Sequence, residues 1–253
     1  MGLIEKLIAV FLEEIWRILL FLLINNDIIQ DIPQTNPKST EIDPNLLVYV
    51  KFLYQVLKYE KQIEKCKIEL SLKPDYTSEA GFALLEFENS GFIYHNDITI
   101  VANELGVEVD EDAVQLFVFR HDFDKDGRLS FYEFWDAFSP FRHEYAILLA
   151  DRMPLNIKKV KTKGLRGFSQ ETRYQILELL DLQFRAEKEI EKLRSKLNIN
   201  PDKSPLTAFR KFNSDGRGQI SKKNLRISFQ KAGYCLTTQE ASLLLARFHT
   251  KNN

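Results

Sequence analysis

Between Asp122 and Glu133 the chain reads DFDKDGRLSFYE. Carboxylates stand at the first, third, fifth and twelfth positions, with a glycine at the sixth. A calcium ion takes roughly six to eight hard oxygen ligands in a flexible shell, and this spacing can supply them. Asp122, Asp124 and Asp126 offer carboxylates, and Gly127 permits the sharp turn between them and the rest of the segment. Arg128 offers its backbone carbonyl, with its side chain expected to point outward. Ser130 is expected to act through water, and Glu133 is long enough to bind with both oxygens. Magnesium is the expected competitor for the same oxygens. Leu129, at the eighth position, is the apolar residue that would pair with a neighbouring loop.

Two further segments carry parts of the pattern. Residues 86–97 read EFENSGFIYHND, with Gly91 and Ile93 at the sixth and eighth positions. Glu86 and Glu88 replace Asp and crowd the shell, Ser90 is a weak ligand, and Asp97 is one methylene short of easy two-oxygen binding. That loop reads as a structural partner. Residues 213–224 read NSDGRGQISKKN. Gly218 and Ile220 keep their places, but Arg217 puts a cation at the fifth position and Asn224 removes the terminal carboxylate, so calcium binding is expected to be lost there. TTQEASLLLARFHTKNN begins a fourth unit whose loop residue 253 leaves unfinished, so a longer chain or a second chain would have to complete it.

The helical flanks of 122–133 fit the same motif: Ala113, Leu116 and Phe117 lead in, while Phe134, Trp135 and Phe138 lead out to Pro140. On these residues the chain resembles the EF-hand superfamily, and within it calmodulin-like proteins. The resemblance covers residues 76–140 and 203–253 and is most specific at 122–133. It implies paired helix–loop–helix units whose loops join through a short antiparallel bridge, which would bring Ile93 to Leu129. Multi-hand proteins with long preceding helices occur in protist cytoskeletons and cilia, so the resemblance also implies a protein partner of cytoskeletal or axonemal kind.

The elements that position these loops are long helices. Asp43-Pro44 is a cap followed by proline at the first helical turn, and a helix is expected from there to about Leu72, before Pro74. Ser169 or Thr172 caps a second, to about Leu197. Both carry Glu/Lys-rich turns with partial heptad spacing, which suits packing on their own loops or on a partner. The two halves overlay at a constant offset of 127. Glu60, Lys61, Ile63 and Glu64 fall on Glu187, Lys188, Ile190 and Glu191; Pro74 falls on Pro201, Gly91 on Gly218, Gly106 on Gly233 and Arg120 on Arg247. The expected organisation is an apolar amphipathic helix at 1–26, a linker at 27–43, a long helix with the first pair of loops at 44–152, a basic linker at 153–168, and a long helix with the third and unfinished fourth units at 169–253. The fold class is all-α, with two EF-hand lobes each preceded by a long helix.

Residues 3–24 are the most hydrophobic stretch, but Glu5, Lys6, Glu13, Glu14 and Arg17 interrupt them. The longest uncharged apolar run, Ile18 to Ile24, is far short of the roughly 20 residues a membrane span needs. Four of the five charges share one sector of a helical wheel, leaving a broad apolar face that either protein or a membrane surface would cover. A signal peptide would need a basic start and an unbroken core. Gly2 follows Met1 as myristoylation requires, but Lys6 stands where Ser or Thr is wanted.

Composition narrows the function. Lys and Arg total 35 against 36 Asp and Glu, which argues against a nucleic-acid binder because phosphate neutralisation needs a basic excess. A hydrophobic content of 44% with 19 Phe is enough for real cores. Ten Gly and eight Pro make about 7% of the chain, against a usual 12% or so, which favours long helices over many turns. Two cysteines, Cys66 and Cys235, cannot build a disulfide framework, so a reducing cytoplasmic setting, cytoskeleton or cilium included, is expected. The basic run from Lys158 to Arg166 suits a solvated linker or an acidic surface. His95, His121, His143 and His249 are scattered, and no nucleophile elbow or phosphate-cradling loop occurs, so no enzyme is expected.

Overall fold

The computed structural model describes residues 43–152 apart from 89, 105, 107 and 108, together with 167–198 and 205–248. The helix expected at 1–26, nearly all of the linker at 27–43 and the basic run at 158–166 lie outside them. Among the described residues the protein is all helical, with ten helices and one isolated β-bridge. They are α1 (Pro44–Ser71), α2 (Ser78–Leu85), α3 (His95–Glu104), α4 (Glu111–His121), α5 (Phe131–Phe138), α6 (His143–Ala150), α7 (Gln170–Asn198), α8 (Pro205–Phe212), α9 (Lys222–Lys231) and α10 (Thr238–Phe248). None of the described helices is long and apolar enough to cross a membrane.

The long helices begin where their caps dictate. Asp43 accepts from the backbone N–H of Asn45 at 3.0 Å, ahead of Pro44, whose missing N–H costs nothing at that position. Ser169 accepts from the Thr172 N–H at 3.2 Å and so caps α7. Along α1 a seam recurs at Leu46, Tyr49, Leu53, Val56, Glu60, Ile63, Lys67 and Leu70, each buried or half-buried. Its spacing alternates three and four, the period that keeps one helical stripe facing inward. Shifting each number by 127 gives Arg173, Ile176, Leu180, Gln183, Glu187, Ile190, Arg194 and Leu197, a second seam that is buried throughout except at the half-buried Arg173.

Two compact units emerge, and they divide inside the long helices, after Glu60 and after Glu189. The unit Lys61–Glu189 holds the end of α1, α2 to α6 and the start of α7. In it the polar seam residue Glu187 pairs with Arg120 of α4 at 2.6 Å, both nearly buried. The other unit holds the start of α1, the end of α7 and α8 to α10. In it Glu60 pairs with Arg247 of α10 at 2.5 Å, with both side chains 7% exposed. The two pairs map onto each other at the offset of 127 with the halves exchanged: an arginine from the first half meets a glutamate of the second, and the reverse. Each unit is therefore built from both halves of the sequence.

Breaking one partner of a buried pair leaves an uncompensated charge, which costs about 3–5 kcal/mol. Geometry at these two points is consequently fixed. Ring contacts reinforce it: Phe117 meets Phe184 edge-on at 5.5 Å in one unit, and Tyr54 meets Tyr234 at 4.9 Å in the other.

Gln183 stands out on the seam. It is 1% exposed, and among the described residues neither its amide oxygen nor its amide nitrogen has a hydrogen-bond partner. Val56 holds the corresponding place on α1 and is fully buried. An unmet buried amide costs about 1–3 kcal/mol, whereas an apolar group of the same shape does not. Gln183→Met is expected to raise unfolding free energy by about 1 kcal/mol, measured by urea denaturation; a lower midpoint would show that the amide is satisfied.

Candidate metal centre

The loop between α4 and α5 is bounded by two caps. Asp122 ends α4, its N–H donating to the Val118 carbonyl. Ser130 starts α5 by accepting from the Glu133 N–H, while Glu133 reaches back to the Ser130 N–H, a capping box. Between them Gly127 has φ +83° and Lys125 φ +64°, left-handed conformations that fold the loop back on itself. Glycine adopts this region freely, and Lys125 does so at a cost.

That turn aims backbone donors inward, where the acidic side chains meet them. Asp122 accepts from the N–H groups of Gly127 at 2.8 Å and Asp126 at 3.2 Å. Asp124 accepts from the Asp126 N–H, and Asp126 from that of Arg128, each at 3.2 Å. Ligand oxygens of Asp122, Asp124 and Asp126 all lie within 4.8 Å of one another. Glu133 closes the far side, with one oxygen accepting from the Phe123 N–H at 2.7 Å and the other from the Ser130 N–H and hydroxyl at 2.8 and 2.7 Å. The sequence-chosen carboxylates thus share one turn. Asp122 and Glu133 are buried, while Asp124 and Asp126 are exposed.

Burial pushes the Asp122 carboxyl above its ordinary value of 3.8, and the neighbouring Asp124 and Glu133 add to the rise, against the opposing pull of the Gly127 N–H. The turn holds more negative charge than it neutralises. A divalent cation in the cup would relieve that repulsion, and oxygen donors of this kind suit a hard ion.

Arg128 departs from expectation. Its side chain does not point outward but folds back, donating from Nε to Asp126 at 2.6 Å and from a terminal nitrogen to the Tyr94 hydroxyl at 3.3 Å. The guanidinium carbon lies 3.6 Å from the centre of the Phe92 ring. The anionic loop draws the cation in, and the ring on the neighbouring loop offers a face for it to stack on. No spacing rule signals this, because Phe92 and Tyr94 reach Arg128 only through the bridge between Ile93 and Leu129, whose two N–H···O bonds measure 2.9 and 2.8 Å.

The other two loops use their side chains differently. In 86–97, Glu86 accepts from the Gly91 N–H, while Asp97 accepts from the Tyr94 N–H at 2.9 Å and is nearly fully buried. Asp97, the third residue of α3, thereby reaches back to the residue before the helix, and burial pushes its carboxyl above the usual range. In 213–224, Asn224 caps α9 through Ser221, and Arg217 lies 3.8 Å from Asp215. Ligand atoms of Cys66, Glu69 and Glu178 also approach within 4.8 Å, but the Gln175 amide already donates to both glutamates at 3.3 Å.

The raised Asp122 carboxyl has a stability consequence. A carboxyl that binds its proton better in the folded state loses stabilisation as pH rises through its folded pKa. At neutral pH the ionised Asp122 therefore costs stability in the metal-free protein. Asp122→Asn is expected to raise metal-free stability by about 0.5 kcal/mol at neutral pH, the scale of a like-charge contact. Below pH 3.8, where the acid is already protonated, the gain should vanish, which thermal melts across pH would test.

Comparison of the chain with known protein families, with characterised proteins and with solved structures finds no match.

Proposed function

We propose that the chain binds calcium at Asp122–Glu133 through a helix–loop–helix of the EF-hand type and serves as a calcium-responsive protein-interaction module. The observation that carries this reading is the gathering of the Asp122, Asp124 and Asp126 oxygens within 4.8 Å on a turn whose own N–H groups hold them. Glu133 is poised at the far side, where exchanging the Phe123 N–H for an ion would complete the cage. The Arg128 carbonyl and a water on Ser130 complete the ligand set the pattern requires. Loops of this charge fall at roughly 10⁻⁷–10⁻⁵ M for calcium when they act as sensors. Magnesium is the competing ion.

One site per chain is expected, because Asp97, at the twelfth position of 86–97, is one methylene shorter than Glu133, and Asn224, at that of 213–224, carries no carboxylate. Those two departures also favour a second reading: a structural component of a cytoskeletal or axonemal assembly, in which largely degenerate hands act as scaffolding. The exchanged pairs Arg120–Glu187 and Arg247–Glu60 support duplication of one unit in either case. The expected partner is a protein, in the cytoplasm or at the cytoskeleton; residues 3–24 could add membrane contact.

Calorimetry on the full chain should give one calcium per protein with a micromolar Kd. In a Trp16→Phe variant, Trp135 on α5 should report the same midpoint by fluorescence. Glu133→Gln is expected to weaken binding by about tenfold or more, since one oxygen of the two-oxygen ligand is lost. Calcium binding with silent Trp135 would favour scaffolding over sensing. Absence of heat, or unchanged affinity in Glu133→Gln, would overturn the site.

A further inference from the structure

The helices on either side of the Asp122–Glu133 loop are tied to different long helices. On the entering side, α4 is held to α7 at three levels. Asp110, its cap, pairs with Lys188; Phe117 packs edge-on against Phe184 at 5.5 Å; and Arg120 pairs with Glu187 at 2.6 Å, with 13% and 6% of the two side chains exposed. On the exiting side, α5 is held to α1. Lys67 of α1 donates to the Asp136 carbonyl at 3.2 Å. Glu64 of α1, itself buried, accepts from the backbone N–H groups of Phe141 and Arg142, just beyond α5, at 2.8 and 3.0 Å. All of these groups lie in the unit Lys61–Glu189.

Within that unit α1 and α7 also touch each other, and the contact is of a different quality. Glu69 of α1 and Glu178 of α7 are bridged by the Gln175 amide at 3.3 Å to each, beside the buried Cys66. Those hydrogen bonds are long, Glu178 is exposed, and Glu69 and Gln175 are half-buried. Just beyond α1, Asp75 accepts from the Ser169 N–H and the Thr172 hydroxyl, and Lys73 pairs with Glu171 at 3.2 Å, so the end of α1 is tied to the start of α7. Between that tie and the Arg120 anchor, the Gln175 bridge is the weakest polar link in a closed loop of contacts: α4 to α7, α7 to α1, α1 to α5, and α5 back to α4 through the 122–133 loop.

An ion taken by Glu133 would have to replace the 2.7 Å bond from the Phe123 N–H, the tie between the first turn of α5 and the end of α4. Moving that carboxylate toward Asp122 and Asp126 swings α5 against α4. Packed elements respond by shifting at the contact that yields most easily. The buried Arg120–Glu187 and Glu64 anchors resist, and the Gln175 bridge does not.

We propose that calcium at Asp122–Glu133 is read out as a displacement of α1 against α7 at the Glu69–Gln175–Glu178 contact, driven through the Glu64 and Arg120 anchors. This rests on the calcium reading of the loop and adds the route by which binding leaves it. Arg120 and Glu64 are positioning residues: they touch no ion and transmit the motion of the helices that carry the ligands. The two long helices, rather than an apolar groove in the hand, then become the responsive surface.

Spin labels on Lys65→Cys and Tyr174→Cys, both exposed positions, would measure the α1–α7 distance in the full chain, with Cys66→Ala and Cys235→Ser removing native thiols. Calcium should shift that distance by about 2 Å or more, the scale of helix displacements at packed interfaces. Glu64→Gln should keep calorimetric binding within about threefold and lose at least half of the shift, while Glu133→Gln should lose both. Binding by calorimetry with an unchanged distance overturns the coupling and leaves the calcium site standing. A shift that survives intact in Glu64→Gln overturns the route. No calorimetric binding in the parent chain overturns the site and the coupling together.

Discussion

Four carboxylates packed into one twelve-residue turn repel one another, and the backbone of that turn is what keeps them together. Asp122, Asp124, Asp126 and Glu133 between them occupy the N–H groups of Phe123, Asp126, Gly127, Arg128 and Ser130. Each such bond is charge-assisted, and such bonds are about twice as strong as neutral ones. The left-handed residues Lys125 and Gly127 exist to aim those donors inward. Arg128 offsets part of the remaining charge from outside, through Asp126. What is left is an anionic cup whose residual repulsion a cation, or a proton on Asp122, would relieve. On the calcium proposal, affinity for the ion and cost to the metal-free fold would be the same interaction seen with and without it.

The rest of the unit holds that cup in a frame. The bridge between Ile93 and Leu129 joins it to a loop whose Glu86 and Asp97 are held by the N–H groups of Gly91 and Tyr94, and that loop supports the cup through Phe92 and Tyr94. Position twelve distinguishes the three loops. Glu133, Asp97 and Asn224 all reach back to the N–H of the residue three before them. Of the three, Glu133 brings a second carboxylate oxygen across the loop, onto the Phe123 N–H, whereas Asn224 crosses its loop with its amide nitrogen, which donates to the Ser214 hydroxyl at 3.2 Å. A second acceptor oxygen, as well as reach, therefore sets Glu133 apart.

Helix ends and the acidic cup were legible in the sequence because each is decided locally. Asp43-Pro44, Ser169 and Thr237 are caps whose side chains satisfy N–H groups two or three residues away, so the starts of α1, α7 and α10 follow from a few neighbouring residues. The ligand spacing at 122–133 is local in the same sense. What could not be read are the contacts that depend on which helix meets which. In the sequence Arg120 and Glu187 stand out only as members of the register at an offset of 127. Their pairing, and the division of both long helices between two units, follow from packing across 67 residues of chain. The Arg128 side chain is decided in the same way: a ring 36 positions earlier holds it across the loop rather than leaving it to solvent.

The exchanged pairs also bear on why the halves differ as they do. An Arg–Glu pair that is buried constrains both partners, since loss of either strands the other's charge. The acids of the loops are under no such constraint, because a loop without a carboxylate at its twelfth position still caps its helix, as Asn224 does with Ser221. That asymmetry fits a chain in which Arg120 and Arg247 have equivalent partners while, of the three loops, 122–133 is the one with acids at the first, third, fifth and twelfth positions. On the calcium proposal that loop also has mechanical purchase: in its unit Glu64 and Arg120 connect its two flanking helices to α1 and α7, so an ion there would act on the two longest elements described.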